Sequence, residues 1–264
     1  MQQNVMAKAA ALAAVVSLVA CGGGGGSTGG GGNPVPVPTA SMPPGTPTPG
    51  PTATPAPPGA SSQTIVTSAG GTSGQSGQFQ NYEGDTPTGG QGASVDGVTC
   101  DPAMSNIYHI HSFLGVYVNG TLMALPAGIG MENAQPPQNG FVDAASCFYH
   151  LHTHDQSGLI HVEDPDPSNI PTTQSMYNLK TFLDIWGITA DSNHFGPFTG
   201  PVRVFTSGAV YRGNNASYTT TADTLTFYGT DPNSVPLYSH EAIFIEVGPT
   251  YPSSLPNVKF YEAQ

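Results

Sequence analysis

Apolar and polar positions alternate along much of the second half of this chain. Tyr108, Ile110, Leu114, Val116 and Val118 occupy one phase, and His109, His111, Phe113, Tyr117 and Asn119 the other. A period of two predicts a strand, because successive side chains leave a strand on opposite faces. Asn119-Gly120 then predicts a tight hairpin turn into Leu122–Leu125. A second hairpin is expected from Phe148–His154, the turn Asp155-Gln-Ser-Gly158 and Leu159–Glu163. Val202–Phe205, Leu225–Tyr228 and Ala242–Val247 have the composition of further strands. Between these segments the period changes. Met176, Leu179, Phe182, Leu183 and Trp186 recur at helical spacing, which predicts a helix over Ser175–Trp186 ended by Gly187. The stretch Asp191–Thr199, with His194, reads as a loop. Leu114–Ile129 and Val202–Val247 are similar in outline, the second with an insertion around Asn214–Ala222. The pattern therefore predicts an α+β domain, mostly β, with one main helix. A β-grasp-like arrangement, single or duplicated, would satisfy it.

Ahead of this domain the pattern disappears. Lys8 and the apolar run Ala9–Ala20 have the form of a secretory signal covering residues 1–20, too short to span a bilayer. Leu18-Val19-Ala20-Cys21 resembles the lipobox of bacterial lipoproteins, which implies cleavage before Cys21 and diacylation of its thiol. An ordinary signal peptide with an incidental cysteine is the competing reading. Gly22 at the second mature position favours the outer membrane if the host is Gram-negative. Residues 21–92 are dominated by Gly, Pro, Thr and Ser and lack the apolar surface to offset their ordering entropy. They are expected to form a disordered tether in which only Ile65-Val66 and Phe79–Tyr82 invite local packing. The compact domain is expected over 93–264, a size that suits one core.

Charge narrows the partners. The chain carries five basic and 17 acidic residues, a net −12, and removal of Lys8 with the leader makes it −13. Lys180, Arg203, Arg212 and Lys259 are scattered singly. Nucleic acid requires clustered cations, so it is excluded as a natural partner, and metal cations are favoured. Of the three cysteines, Cys100 and Cys147 remain once Cys21 is assigned to the anchor. In an oxidising compartment such a pair is expected to form a disulfide. The rival reading makes Cys147 a thiolate metal ligand.

The chemistry concentrates in histidine. Six of the eight fall between residues 109 and 161: His109 and His111 on one strand, His150, His152 and His154 on the next, then His161 across the turn. Alternate residues share a face, so each cluster offers two or three imidazoles to one ion, and neutral imidazole is the commonest transition-metal ligand. Asp155 and Glu163 are expected to orient imidazoles from behind. With no free thiol and scattered methionines, the donor set favours Cu(II) or Zn over Cu(I). His194 and His240 stand apart and read as structural.

These motifs also resemble an uncharacterised family of exported bacterial and archaeal proteins. The residues that carry the likeness are Val95-Asp-Gly-Val-Thr-Cys100, His109-Ile-His-Ser-Phe-Leu114 and Leu125-Pro-Ala-Gly-Ile-Gly130. Cys147-Phe-Tyr-His-Leu-His-Thr-His-Asp155, Gly158-Leu-Ile-His-Val-Glu163 and Tyr177–Gly187 complete it. Phe113 stands where that pattern often has another His, and His150 where it often has an aromatic or small residue. The resemblance implies a shared fold and no particular activity.

Three functions compete at this stage. One is an envelope lipoprotein that sequesters, delivers or senses a transition metal through His109, His111, His152, His154, His161 and His150. Another is a metal-dependent enzyme, with Glu163 or Asp155 as general base on a metal-bound water. The chain has no nucleophile elbow, phosphate loop or cofactor fingerprint to support it. The third is a surface interaction module whose histidines are structural.

Overall fold

In a computed structural model, the structure describes residues 54–67, 77–78, 89–105, 107–166, 177–209 and 218–260. The expected signal segment, Cys21, Phe79–Tyr82 and the first residues expected in the helix, Ser175 and Met176, lie outside the described residues, as does Arg212. The elements that build the fold and the site are β1 Gly59–Thr67, β2 Tyr108–Val118, β3 Thr121–Ala124, β4 Cys147–Tyr149, β5 Leu151–His152, β6 Leu159–Asp164, α1 Leu179–Trp186, β7 Val202–Thr206, β8 Tyr218–Thr220, β9 Thr226–Gly229, β10 Ala242–Val247 and β11 Ser254–Phe260.

The long strand β2 is the spine of the central sheet. Along one edge it pairs parallel to β10, from Phe113 opposite Ala242 to Val118 opposite Val247. Along the other edge it meets two antiparallel partners end to end: β6 against residues 108–113 and β3 against 116–118. Beyond β10 lie β7 and then β9, both antiparallel to their neighbours, and β5 pairs with β6. Asn119 and Gly120 both have positive φ, 50° and 81°, as a primed hairpin turn demands. The two similar halves of the sequence thus contribute to one sheet and not to two separate units.

Each face of this sheet is covered by a different layer. Leu114, Val116, Ile160, Val162, Ile243 and Ile245 pack with Leu179, Phe182, Leu183, Ile185 and Trp186 of α1. On the opposite face Phe113, Tyr117 and Phe244 pack with Ile65, Leu255, Val258 and Phe260. Those last four belong to a second, three-stranded sheet of order β1-β11-β8. Burial from both sides explains why every residue of β10 is inaccessible. Gly115 is required where the strands meet this second layer, since a Cβ there would lie 2.7 Å from the Phe244 ring.

Two expectations about boundaries change. The helix begins at Leu179 because Asn178, in extended conformation, accepts a bond from the Thr181 amide at 2.9 Å and caps it. Gly187 ends it at φ 84°, its N–H donating to the Leu183 carbonyl. Residues 59–67, placed by composition in the tether, form strand β1 and pair parallel with β11, with Ile65 only 1% exposed. A few β-branched residues sufficed because β11 supplies an open edge.

Candidate metal centre

Three strands align the histidines in a row. His161, in the middle of β6, stands opposite His111 of β2 on one side and opposite His152 of β5 on the other. Residues directly opposite in antiparallel strands point their side chains to the same face. One step along, His109 stands opposite Glu163. The odd-numbered residues of β2 share one face: Phe113 and Tyr117 enter the core under the second sheet, and His109 and His111 form this row. His154 joins from just past the end of β5.

The donor atoms converge closely. The Nε2 atoms of His109 and His111 are 2.9 Å apart, and the Nδ1 of His161 is 3.3 Å from the first and 3.1 Å from the second. The Nε2 atoms of His152 and His154 are 3.2 Å apart. Glu163 Oε1 lies 3.3 Å from His109, 3.5 Å from His161 and 3.8 Å from His152. The residues form two overlapping groups able to hold a metal ion, His152-His154-His161-Glu163 and His109-His111-His161. The structure thus places Glu163 among the imidazole donors rather than behind them.

Backbone carbonyls fix two of the rings. His152 Nδ1 donates to the Tyr149 carbonyl at 2.8 Å, and His154 Nδ1 donates to that of Val142. Holding the proton on Nδ1 leaves the Nε2 lone pair aimed at the cluster, the arrangement that orients metal-binding imidazoles. Phe141 stacks on His154 at an interplanar angle of 3° and restrains it further.

Burial sets the protonation. His152 and His161 are held well below the usual imidazole value, first by desolvation and then by their histidine neighbours. His154 is lowered by desolvation, with its Val142 bond pulling the other way. Glu163 is pushed up to about 7 by burial, against a smaller lowering by the Ser105 backbone amide. An imidazole cluster that resists protonation keeps its lone pairs available to a cation.

The remaining candidates lie elsewhere or act differently. His150 shares the phase of His152 and His154 but leaves their row: its Nε2 lies 3.0 Å from Asp101 Oδ2 and 3.4 Å from the Thr99 hydroxyl. The ladder breaks at this residue, between β4 and β5, so alternation does not carry through it. Asp155 accepts the Ser157 amide at 2.9 Å and shapes the turn. His194 pairs with Asp191 at 2.9 Å on a separate hairpin, and His240 packs between Tyr218 and Phe260. Cys100 and Cys147 form a disulfide with Cα atoms 5.4 Å apart, which removes Cys147 as a thiolate ligand.

Sequence reasoning missed the Tyr149 and Val142 carbonyls, because backbone acceptors leave no mark in a sequence. It also missed the Asp101–His150 contact, which follows from a strand register that sets Asp101 opposite Phe148 and is not given by the cysteine pairing alone. No protein-family model, no curated protein and no solved structure matches this chain.

Proposed function

We propose that this chain is a cell-envelope lipoprotein that binds a divalent transition metal through His109, His111, His152, His154, His161 and Glu163. The observation that carries the reading is the convergence of five imidazole nitrogens and one carboxylate oxygen across three strands and the turn that follows them. Donor atoms converging this closely in a largely buried cluster suit a shared cation. The donors admit Cu(II) and Zn(II) together with other first-row divalent ions that take imidazole. Attachment through Cys21 and the disulfide both suit an oxidising, extracytoplasmic setting. Sequestering or delivering the ion there is the role that fits a largely buried site with His109 at its exposed end.

The same reading extends to the fold. The hairpin β2-β3 and the antiparallel pair β7-β10 lie side by side in the order β3-β2-β10-β7, with the central strands parallel and α1 falling between the two pairs in sequence. That order supports a β-grasp-like unit, and with it the likeness to the uncharacterised exported family.

Calorimetric titration of the demetallated protein with Cu(II) and Zn(II) tests the function. Binding tighter than about 10 μM, roughly −7 kcal/mol, is expected. Changing His152 and His154 together to Ala should abolish it, whereas His194→Ala should leave it unchanged. Weaker binding by both ions would make the cluster structural and the proposal wrong.

A further inference from the structure

The donors fall into an outer and an inner group, and burial separates them. His109, His111 and His161 form the outer group, with ring nitrogens 2.9, 3.1 and 3.3 Å apart. His109 is the most accessible donor of the cluster, with 27% of its side chain exposed. His152, His154, His161 and Glu163 form the inner group, and all four are buried. Exposure falls from His109 to 12% at His161, 5% at Glu163 and 0% at His152. The row thus runs from solvent into the interior.

Two residues link the groups. His161 Nδ1 lies 3.3 Å from His109 Nε2, 3.1 Å from His111 Nε2 and 3.5 Å from Glu163 Oε1, so one lone pair faces both sides. A lone pair binds one ion, and two ions would compete for it. Glu163 Oε1 stands 3.3 Å from His109 Nε2 and 3.8 Å from His152 Nε2, between the most exposed imidazole and the most buried one.

Chemistry ranks the two seats. The outer one has three neutral imidazoles and leaves a position of a four-coordinate ion to water or an external donor. The inner one supplies four protein donors, the number that closes a structural zinc site. Its spacings of 3.2 Å between His152 and His154, 3.5 Å between Glu163 and His161, and 3.8 Å between Glu163 and His152 bracket the roughly 3.4 Å between donors about 2.1 Å from a tetrahedral ion. Its carboxylate also offsets charge, which a buried cation needs.

Building on the proposed metal binding, we infer that the row is a relay, in which one ion is captured by His109, His111 and His161 and then held by His152, His154, His161 and Glu163. His161 keeps its bond throughout. Glu163 Oε1 replaces His109 Nε2, and His152 and His154 replace His111 and the remaining water. Any proton on the Glu163 carboxyl passes to water as the metal–oxygen bond forms. The outer seat holds the ion only in passing, so losing His152 and His154 together still abolishes tight binding.

The test separates rates from equilibrium on demetallated full-length protein, using Co(II), which absorbs strongly in the visible region when four-coordinate and only weakly when six-coordinate. The wild type should saturate at one equivalent with intense bands. His109→Ala should slow both Co(II) uptake and its removal by EDTA about tenfold or more, while lowering affinity no more than about threefold. Slowing in both directions marks a lost route, because a route cannot alter the equilibrium between its ends. His154→Ala should instead lower affinity about tenfold or more and speed removal, as the inner seat loses a ligand. Saturation at two equivalents, weak six-coordinate bands, or unchanged rates in His109→Ala would overturn the relay while leaving metal binding intact. So would a loss of affinity in His109→Ala as large as that in His154→Ala. Failure of the wild type to take up Co(II) at all would overturn the proposed function along with it.

Discussion

Burial pushes Glu163 and the imidazoles of His152, His154 and His161 in opposite directions, up for the carboxyl and down for the rings, and the balance sets how protons compete with a metal. His152, His154 and His161 are held below the usual imidazole value, so in the folded protein they stay neutral at a pH where an exposed histidine is half protonated. Glu163, raised to about 7, holds a proton below that pH, and an incoming ion must displace it. Affinity should therefore decline through Glu163 as pH falls below about 7, by up to tenfold per unit, before those three rings begin to compete. At about pH 6, metal uptake should release close to one proton more in the wild type than in Glu163→Gln. Calorimetry in buffers of different ionisation enthalpy measures that difference, and equal release from the two proteins would mean Glu163 is not a ligand. The sequence displayed the clustered imidazoles, because the spacing of two in His109/His111 and His152/His154 is itself the geometry. It hid the role of Glu163, since facing His109 is a property of strand register and not of local sequence.

At the scale of elements, the alternating strands and the Asn-Gly hairpin were legible, and the interruption at His150 was not. Segment 147–153 is held on its far side by the loop before it: the Tyr149 amide donates to the Gly130 carbonyl, and the Thr153 amide to that of Ile129. Gly130 has φ 73°, and a Cβ on it would stand 2.3 Å from the Leu151 carbonyl oxygen, so that close approach depends on glycine. Such long-range pairing has no local sequence signature. Strand β1 shows the same limit from the other direction, because its own composition is poor and the edge of β11 makes it a strand. Ile65→Ala should cost about 2–5 kcal/mol in urea unfolding, as expected for a buried aliphatic residue. A chain starting at residue 93 should also melt at lower temperature than one starting at 54, since it leaves Leu255, Val258 and Phe260 without their cover. Equal stability in both comparisons would show that β1 adds nothing to the fold.

For the whole molecule, the proposed lipoprotein would carry its ion site on a domain anchored at Cys21. Cys21→Ala should move the protein from the membrane fraction to the soluble one, or leave an unprocessed precursor. Fractionation and migration like the parent would remove the lipid from the account. The clustering of the histidines was legible from their spacing, whereas the packing of layers on both faces of the central sheet was not, because the alternation over residues 108–119 reads as one apolar and one polar face. The parallel pairing of β1 with β11 bears on such an anchored chain. Gly59 lies beside Ser254 and Thr67 beside Phe260, so the two strands run the same way and the chain enters and leaves at opposite ends of the pair. Tension between the two ends of the domain would slide these strands past one another, loading the paired residues together instead of unzipping them one at a time. Under a pull, the strand that composition assigns to the tether becomes the latch of the domain.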